Sequence, residues 1–448
     1  MSRLLIEGAT LLGLADRGDI RPREDLYAEG GTIRATGEEA RRLAAAVGPP
    51  VERLDARGKW VLPGFVQAHL HLCQTLLRNG PEDLELLPWL ETHVWPGEAA
   101  HDAATMAVSA RLGLSECLAG GVTAVLDMGT IRHSDALFEA AARSGVRYAG
   151  GNVLMDDPET TPPNLRATPD EGLAETERLR VSFHGGEEGR LRVAVQPRFA
   201  VSCTDGLLRR AAEFASGKAL LIHMHASENR GEVELVRRRT GLGNVAYLDR
   251  VGILTERTCL AHAIHTDPAD WELLRARGTS VAHCPTSNMR LASGVCPVCD
   301  LRRCGVRVCL GSDGAACNNS LDPFREMRLA AFLPQTRPAP ERLLAFEVLR
   351  IATWEGARAL HLPGPEGLVA GGRADLAILD PEAEWALPDA WSGEPYGAIV
   401  YSMSRGNVFA TIVDGRVRYR AGDATVGGLK PRPDEIRAAV ESLKSRMG

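Results

Sequence analysis

The 448-residue sequence has few of the features that suit a membrane or a nucleic acid. No apolar run approaches the roughly 20 residues that a transmembrane helix needs. Aromatic residues make up only 5% of the chain and are not interleaved with basic runs, and the formal net charge is −6, whereas a nucleic-acid-binding protein usually presents a basic face. The first residues lack the apolar length and the cleavage pattern of a signal peptide. We therefore expect a cytoplasmic protein with no membrane or nucleic-acid partner.

Cysteine is present, but its spacing does not predict a disulfide framework or a zinc ribbon. The ten cysteines are spread along the chain, and without an export signal we expect reduced, mostly buried thiols. The segment CPVCDLRRC, from Cys296 to Cys304, holds one CxxC pair. No second pair follows at the spacing of about 15–20 residues that a zinc ribbon needs. We therefore expect no structural zinc there.

Apolar runs alternate with helical patterns through the middle of the chain. Eight runs have the length and composition of buried strands: 61–69, 122–128, 146–155, 191–197, 219–226, 258–263, 279–285 and 306–313. Eight strands that alternate with helices predict an α/β fold built on a (β/α)8 TIM-like barrel. The stretch 156–189, rich in Pro, Gly and Glu, should form a long loop and a helix over one mouth of the barrel.

Both ends of the chain carry short strand patterns separated by turns, such as RLLIEGATLLGL near the start and GNVFATIVDGRVRYRAG near the end. We expect these ends to pair into one small β domain that flanks the barrel. The predicted domains are 1–59 and 364–448 for the β domain and 60–363 for the barrel. The last stretch, Pro433–Met447, should form an amphipathic helix.

Histidines recur at the carboxyl ends of the predicted strands, which is where barrels of this type place their active groups. The first strand ends in His69 and His71. Alternate residues of a strand point the same way, so both imidazoles can aim at one point. A third imidazole and one carboxylate would complete a zinc-type site with a position left for water. Later strands end in Arg198, His225, His262, His283 and Asp313.

Lysine is scarce, and its positions bear on the number of metal ions. The only four lysines are Lys59, Lys218, Lys430 and Lys444. Some barrels of this kind bridge two metals with a modified lysine on the fourth strand, but no predicted strand here has a lysine at its carboxyl end. The sequence therefore predicts a mononuclear site.

Five segments, taken in order, resemble the amidohydrolase superfamily over nearly the whole chain: PGFVQAHLH, HMHASENRGEVE, LAHAIH, VAHCPTSNMRLASG and LGSDGAACNN. The chain is most similar to the aminohydrolases and chlorohydrolases that act on purines, pterins and s-triazines. The resemblance implies that the flanking domain is a β-sandwich to which both termini contribute. It also implies one divalent metal, Zn²⁺ or Fe²⁺, held by His69, His71, His225 and Asp313.

The resemblance also assigns catalytic roles. A bound metal lowers the pKa of its water to about 7, which prepares it to attack a ring carbon that bears an amino or halide group. Glu228, three residues after His225, would protonate the ring nitrogen, and Asp313 would carry the proton of the water to the leaving group. His262 would orient the water and stabilise the developing oxyanion. His265 is nearby, but the resemblance favours His262.

The candidate substrate contacts are Gln74, Glu98, Arg198, Glu228 and His283. Glu98, in HVWPGE, matches the glutamate that adenosine-type deaminases use on the ribose diol, and a carboxylate can accept from two vicinal hydroxyls. Arg198 stands where those enzymes usually have a histidine, and together with Gln74 it matches guanine deaminases. For His283, a contact in the pocket and a structural role are equally consistent with the sequence.

These signals predict hydrolytic deamination of an aminopurine-like ring, led by a 5′-modified adenosine such as 5′-deoxyadenosine, methylthioadenosine or S-adenosylhomocysteine. The last is weakened because the arginines that some adenosine-type members use on the homocysteine carboxylate have no clear match near Gly151 or Asn152. The alternatives are a guanine, oxo-purine or pterin deaminase, an s-triazine chlorohydrolase and, outside the enzymes, a metal-binding relative without catalysis. Members of the superfamily often form dimers or larger assemblies, so the resemblance leaves a homo-oligomer open.

Overall fold

The computed structural model describes residues 1–48, 50–384 and 394–447. Its strands in chain order are β1 (Arg3–Leu12), β2 (Ile20–Glu29), β3 (Thr32–Thr36), β4 (Glu52–Asp55), β5 (Trp60–Pro63), β6 (Phe65–His71), β7 (Val122–Asp127), β8 (Arg147–Gly150), β9 (Val153–Leu154), β10 (Leu191–Pro197), β11 (Leu221–Ala226), β12 (Thr258–His262), β13 (Ser280–His283), β14 (Arg307–Leu310), β15 (Asp313–Gly314), β16 (Leu376–Leu379), β17 (Val408–Val413) and β18 (Arg416–Arg420).

The helices are α1 (Glu38–Ala46), α2 (Leu86–Trp89), α3 (Trp95–Ala99), α4 (Ala103–Ala119), α5 (Ser134–Ser144), α6 (Pro169–Phe183), α7 (Gly186–Gly189), α8 (Asp205–Gly217), α9 (Arg230–Thr240), α10 (Asn244–Arg250), α11 (Pro268–Arg277), α12 (Pro285–Arg290), α13 (Val298–Cys304), α14 (Ala315–Asn318), α15 (Pro323–Phe332), α16 (Ala345–Ala352), α17 (Trp354–Ala359) and α18 (Pro433–Met447). Short 3₁₀ turns cover Leu72–Leu77, Pro163–Leu165, Leu333–Thr336 and Arg405–Asn407, and π-helical turns cover Leu90–Val94 and Ala398–Ser402.

The strands from β6 to β14 form a parallel barrel in chain order, which confirms the predicted (β/α)8 fold. Each strand pairs with the next, and β8 and β9 together make the third barrel strand beside β10. The barrel closes where β15 pairs with β6, with Asp313 beside Leu70 and Gly314 beside His71. At this closure the backbones come so close that a Cβ at Gly311 would lie 2.7 Å from the carbonyl oxygen of His69. The closure therefore brings the last strand end directly onto the first.

Strands from both termini form the second sheet, as the sequence predicts. Its order is β18-β17-β16-β5-β1-β2-β3, with β4 beside β1, and β5 pairs antiparallel with β16. The sheet encloses its own apolar core, which includes Leu4, Ile6, Ile378 and Ile412. Other residues of the same sheet, among them Leu12, Leu62 and Val413, pack into the core that they share with the barrel. The exact limits 59/60 and 363/364 stay a prediction.

Two local predictions need correction. The run predicted as one strand over 61–69 is two strands, because the chain turns at Gly64 and leaves the terminal sheet (β5) for the barrel (β6). The helix predicted over a barrel mouth in 156–189 is α6, the crossover helix between the third and fourth barrel strands, and its Leu173 and Leu179 are buried. The terminal helix α18 has the predicted limits, Pro433–Met447.

Among the residues that the structure describes, no helix combines the length and the apolar character needed to cross a bilayer.

Candidate metal centre and active site

Three barrel strands bring four predicted metal ligands together at the carboxyl end of the barrel. His69 and His71 end β6, His225 lies near the end of β11, and Asp313 begins β15; all four are buried. Asp313 Oδ1 lies 3.2 Å from His69 Nε2 and 3.3 Å from His71 Nε2. His71 Nε2 lies 3.2 Å from His225 Nε2.

These separations suit a single ion. One ligand atom from each of His69, His71, His225 and Asp313 lies within 4.8 Å of the others. A tetrahedral Zn²⁺ with bonds of 2.0–2.1 Å keeps its ligand atoms about 3.4 Å apart. Three imidazoles and one carboxylate are also the donor types that zinc prefers. The residues therefore fit one divalent metal.

Hydrogen bonds fix which ring nitrogen of two imidazoles is free. His71 Nδ1 donates to the carbonyl oxygen of Met128 over 2.8 Å, and His225 Nδ1 donates to the carbonyl oxygen of Arg198 over 2.9 Å. A carbonyl oxygen only accepts, so the proton sits on Nδ1 and the Nε2 lone pair is available to a metal. His69 differs, because its Nδ1 lies 2.8 Å from Nε2 of His223. His223 is therefore outside the four-residue cluster and directly behind it.

The titration behaviour of the imidazoles agrees with this role. Burial lowers the pKa of His69 to about 4. Burial, with further repulsion from His69 and His71, lowers the pKa of His225 well below its usual value. Neutral imidazole is the form that binds metal, so both rings are in the binding state at neutral pH.

Glu228 and His262 stand beside the cluster. His262 Nε2 lies 3.5 Å from Glu228 Oε2 and 3.8 Å from Asp313 Oδ2. Ser227, His262 and Asp313 have positive φ angles of 54°, 75° and 61°. Such backbone is costly for residues other than glycine and concentrates at functional sites. Each of the three residues lies at the end of a barrel strand or directly next to one, at or beside the metal cluster.

The two carboxyl groups favour different protonation states. Burial raises the pKa of Glu228 well above its usual value, and the charges of Asp313 and Glu232 add to that effect. Burial would also raise the pKa of Asp313, but the imidazoles of His69 and His71 hold it well below its usual value. Environments that separate the pKa values of neighbouring groups indicate an acid and a base. At neutral pH these environments favour a protonated Glu228 and an ionised Asp313.

Glu232 holds the backbone that presents Glu228. Its buried carboxylate accepts from the backbone N–H groups of Ser227 at 3.1 Å, Glu228 at 2.8 Å and Asn229 at 3.4 Å. Asn229 also caps α9, since its side chain accepts from the N–H of Gly231 over 2.8 Å. The turn between His225 and α9 is thereby fixed at both sides.

A cavity that is open to solvent lies above the cluster. Its lining combines apolar and polar side chains, as is typical of a site for a small, partly polar ring. The apolar lining is Leu86, Trp89, Leu90, Phe199 and Leu291, and the polar lining is His71, Gln74, Arg198, His225, Glu228 and Asp313.

The predicted substrate contacts Gln74, Glu98 and Arg198 form one buried group. Arg198 donates to both oxygens of Glu98, over 2.6 and 3.1 Å, and Gln74 Nε2 donates to Glu98 Oε1 over 2.9 Å. Among the described residues, Gln74 and Arg198 line the cavity and Glu98 lies behind them. Burial would raise the pKa of Glu98, but the Arg198 charge and hydrogen bonds lower it overall, so Glu98 is ionised.

Other predicted positions lie farther from the cavity. His283 is buried, and within the described chain neither ring nitrogen has a hydrogen-bond partner; it is outside the cavity lining, and its contact with substrate stays a prediction. His265 Nε2 donates to the carbonyl oxygen of Ser293 over 2.9 Å. Cys296 and Cys304 contact Ala263 and Glu272 respectively, and the candidate metal groups of the described residues do not include them.

The sequence did not assign several residues that support the site. Glu232, His223, Ser287 and Asn288 all contact a predicted metal-binding or catalytic residue. All four lie within segments that carry the resemblance, HMHASENRGEVE and VAHCPTSNMRLASG. Buried polar residues so close to strand ends could have been flagged. Only the three-dimensional contacts show which residue each one supports; His223, in the first of those segments, was set aside as a non-ligand.

Comparison with known proteins agrees with this geometry. The amidohydrolase family profile matches residues 60–418. The 5′-deoxyadenosine deaminase of Methanothermobacter thermautotrophicus is 38% identical over 396 residues, 87% of this chain and 89% of that protein. The 5-methylthioadenosine/S-adenosylhomocysteine deaminase of Symbiobacterium thermophilum is 35% identical over 430 residues, 94% of each protein.

A solved structure shares the whole architecture. The crystal structure of an adenosine deaminase from Xanthomonas campestris with bound zinc superposes with a TM-score of 0.88 at 28% identity, and the match covers 100% of this chain and 98% of that one. Together with the profile match over most of the chain, this confirms the resemblance seen in the sequence. The chain belongs to the amidohydrolase family.

Proposed function

We propose that the protein is a metal-dependent hydrolytic deaminase of a 5′-modified adenosine. The observation that carries the proposal is a buried His₃Asp cluster with a carboxylic acid, Glu228, beside it at the floor of a cavity. The relatives named as 5′-deoxyadenosine and 5-methylthioadenosine/S-adenosylhomocysteine deaminases, 38% and 35% identical, support this substrate class.

We propose Zn²⁺ as the metal, bound by His69, His71, His225 and Asp313. When bound there, a zinc ion would lower the pKa of a water ligand to about 7 and so supply a nucleophile at neutral pH. A single ion is consistent with the lysines, since Lys59 and Lys218 pair with Asp380 and Glu177, away from the cluster. The zinc-bound structural neighbour supports this choice.

Glu228 and Asp313 carry out the proton transfers. Water oxygen bonds to the ring carbon that carries the amino group, while Glu228 delivers its proton to the adjacent ring nitrogen. Asp313 accepts one proton of the water and delivers it to the amino group, and Glu228 takes back the second water proton as the carbonyl group forms. The carbon–nitrogen bond breaks and ammonia leaves, so the products are the oxo-purine and ammonia. His262 Nε2, facing Glu228 and Asp313, keeps the water in line.

Recognition of the ribose is assigned to Glu98. Oε1 of Glu98 accepts from both Arg198 and Gln74, whereas Oε2 accepts from one Arg198 nitrogen at 2.6 Å. A carboxylate oxygen can accept more than one hydrogen bond, so Oε2 can also receive a ribose hydroxyl when Arg198 shifts. The 5′ group would contact apolar lining residues such as Leu86, Trp89 and Leu90.

One observation favours a second function. Arg198 and Gln74 line the cavity, whereas Glu98 lies behind them. In this arrangement an oxo group and ring nitrogens of a free oxo-purine would meet Arg198 and Gln74 directly. Guanine-type deamination is therefore the alternative substrate class for the same site.

Release of ammonia from a substrate panel tests the proposal. The zinc-loaded protein is assayed with 5′-deoxyadenosine, methylthioadenosine, S-adenosylhomocysteine, adenosine, adenine, guanine and an s-triazine. We expect activity on the 5′-modified adenosines, lost in Glu98→Ala and, with zinc content unchanged, in Glu228→Gln. Glu234→Gln is the matched control, since Glu234 is an exposed residue of α9, the helix that follows Glu228.

Two outcomes would count against the proposal. Activity confined to guanine and lost in Arg198→Ala would establish the alternative. Stoichiometric zinc with no turnover of any compound would instead identify a metal-binding relative without catalysis.

A further inference from the structure

Two neighbouring residues of the short helix α12 contact two different residues of the proposed machinery. The helix follows directly from the barrel strand β13, and its Ser287 and Asn288 are fully buried. Ser287 Oγ donates to Asp313 Oδ2 over 2.5 Å. Asn288 Oδ1 lies 2.8 Å from His262 Nδ1. One helix thus touches residues that two other strand ends present.

Ser287 and the backbone of Gly314 each donate a hydrogen bond to a different oxygen of Asp313. Oδ1 accepts from the backbone N–H of Gly314 over 2.7 Å and faces the imidazoles of His69 and His71. Oδ2 accepts from Ser287 and is the oxygen nearer to His262, at 3.8 Å. Two donors, one on each oxygen, prevent the carboxylate from rotating. Asp313 can then contact a metal through one oxygen and a proton through the other.

The hydrogen bond to Asn288 sets which ring nitrogen of a neutral His262 carries the proton. A carboxamide oxygen only accepts, so the proton of a neutral His262 sits on Nδ1. Nε2 then presents a lone pair toward Glu228 and Asp313, at 3.5 and 3.8 Å. Within the described chain, Nε2 has no hydrogen-bond partner and is buried. In this tautomer, Nε2 of His262 is an acceptor that can receive a hydrogen bond from water.

A buried carboxylate anchors the helix to the strand end that bears Asp313. Glu326 accepts from Thr286 N over 3.1 Å and from Thr286 Oγ1 over 2.6 Å. It also accepts from Asn318 Nδ2 over 2.8 Å, and the same amide donates to the carbonyl oxygen of Ser312 over 2.7 Å. The positions of α12 and of Asp313 are therefore coupled through one network.

We propose that Ser287 and Asn288 are positioning residues of the deaminase, which set the orientation of Asp313 and the tautomer of His262. This inference rests on the proposed function. Both side chains act through another residue and lie outside the cavity lining. Their loss should therefore lower kcat while KM and zinc content stay unchanged, because catalytic geometry is lost and binding is not.

The variants Ser287→Ala, Asn288→Leu and Asn288→Asp test this in the zinc-loaded protein. Leucine has the shape of asparagine without an acceptor, and aspartate keeps an acceptor for His262 Nδ1. We expect kcat to fall about 10–100-fold in Ser287→Ala and Asn288→Leu, and less in Asn288→Asp. Ser293→Ala is the control, because Ser293 is a buried serine whose Oγ has no partner within the described chain. Its kcat should be unchanged.

An NMR measurement on ¹⁵N-histidine-labelled protein reports the tautomer without turnover. The Nδ1–H resonance that disappears in His262→Asn should be shifted or lost in Asn288→Leu and retained in Asn288→Asp and Ser293→Ala. A wild-type kcat in Ser287→Ala and Asn288→Leu, or an unchanged His262 resonance in Asn288→Leu, would overturn the proposal. An inactive wild type with the expected NMR pattern would instead refute the deaminase function and leave the positioning role standing.

Discussion

Replacing Arg198 by methionine should leave a buried carboxylate without its counter-ion. The side chains of Glu98 and Arg198 are 0% and 3% exposed and share two hydrogen bonds of 2.6 and 3.1 Å. Removing one partner of a buried ion pair costs about 3–5 kcal/mol, because the remaining charge is uncompensated. Gln74 still donates to Glu98 in the variant, so we expect a loss near the lower end, about 3 kcal/mol.

The loss should depend on pH in a defined direction. In the wild type the pKa of Glu98 is lowered, so its stabilising contribution is complete above the unfolded value of about 4.3 and is lost only as pH falls below it. In Arg198→Met, burial dominates and raises the pKa of Glu98 above the unfolded value. The variant then loses stability as pH rises through that pKa. The gap between wild type and variant should therefore grow from pH 5 to pH 8.

Urea unfolding of the zinc-loaded proteins at both pH values measures the effect. The double variant Glu98→Gln/Arg198→Met has no charge to bury and should recover part of the loss at pH 8. Arg210→Met serves as the control, since its pair with Asp170 is 46% and 86% exposed and should contribute less than about 1 kcal/mol. A loss below about 1 kcal/mol in Arg198→Met at pH 8, with no recovery in the double variant, would refute the reasoning.

Three further predictions concern the metal centre and the cavity. A Cβ at position 314 would lie 1.9 Å from Gln74 Oε1, so Gly314→Ala should displace Gln74 and raise KM more than it lowers kcat; unchanged kinetics would contradict this. His223→Leu should weaken zinc binding about 10–100-fold, because His69 loses the partner of its Nδ1; competition with a chromophoric chelator measures the affinity. Removal of zinc by a chelator should abolish turnover and lower the Tm, and added zinc should restore both; in His69→Asn the Tm should not respond to zinc.

The sequence alone was enough to predict the barrel, the β domain from both termini and the positions of the candidate ligands. The reason is that these features are local. Alternation of apolar strands with helices is visible in any stretch of chain, and His69 and His71 share a face because strand side chains repeat every two residues. A ligand at the carboxyl end of a parallel strand also has only one edge of the barrel on which to lie.

Contacts between distant side chains were decided by the tertiary structure. Glu98 and Arg198 are 100 positions apart, and the sequence offered them as contacts for two different substrates, yet the fold pairs them in one buried group. His69 and His223, 154 positions apart, meet for the same reason. Register between strands and closure of the barrel at Asp313 fix these distances, and neither is encoded in the spacing of a local motif. The sequence determined which chemical groups reach the barrel mouth, and the packed structure determined which of them touch.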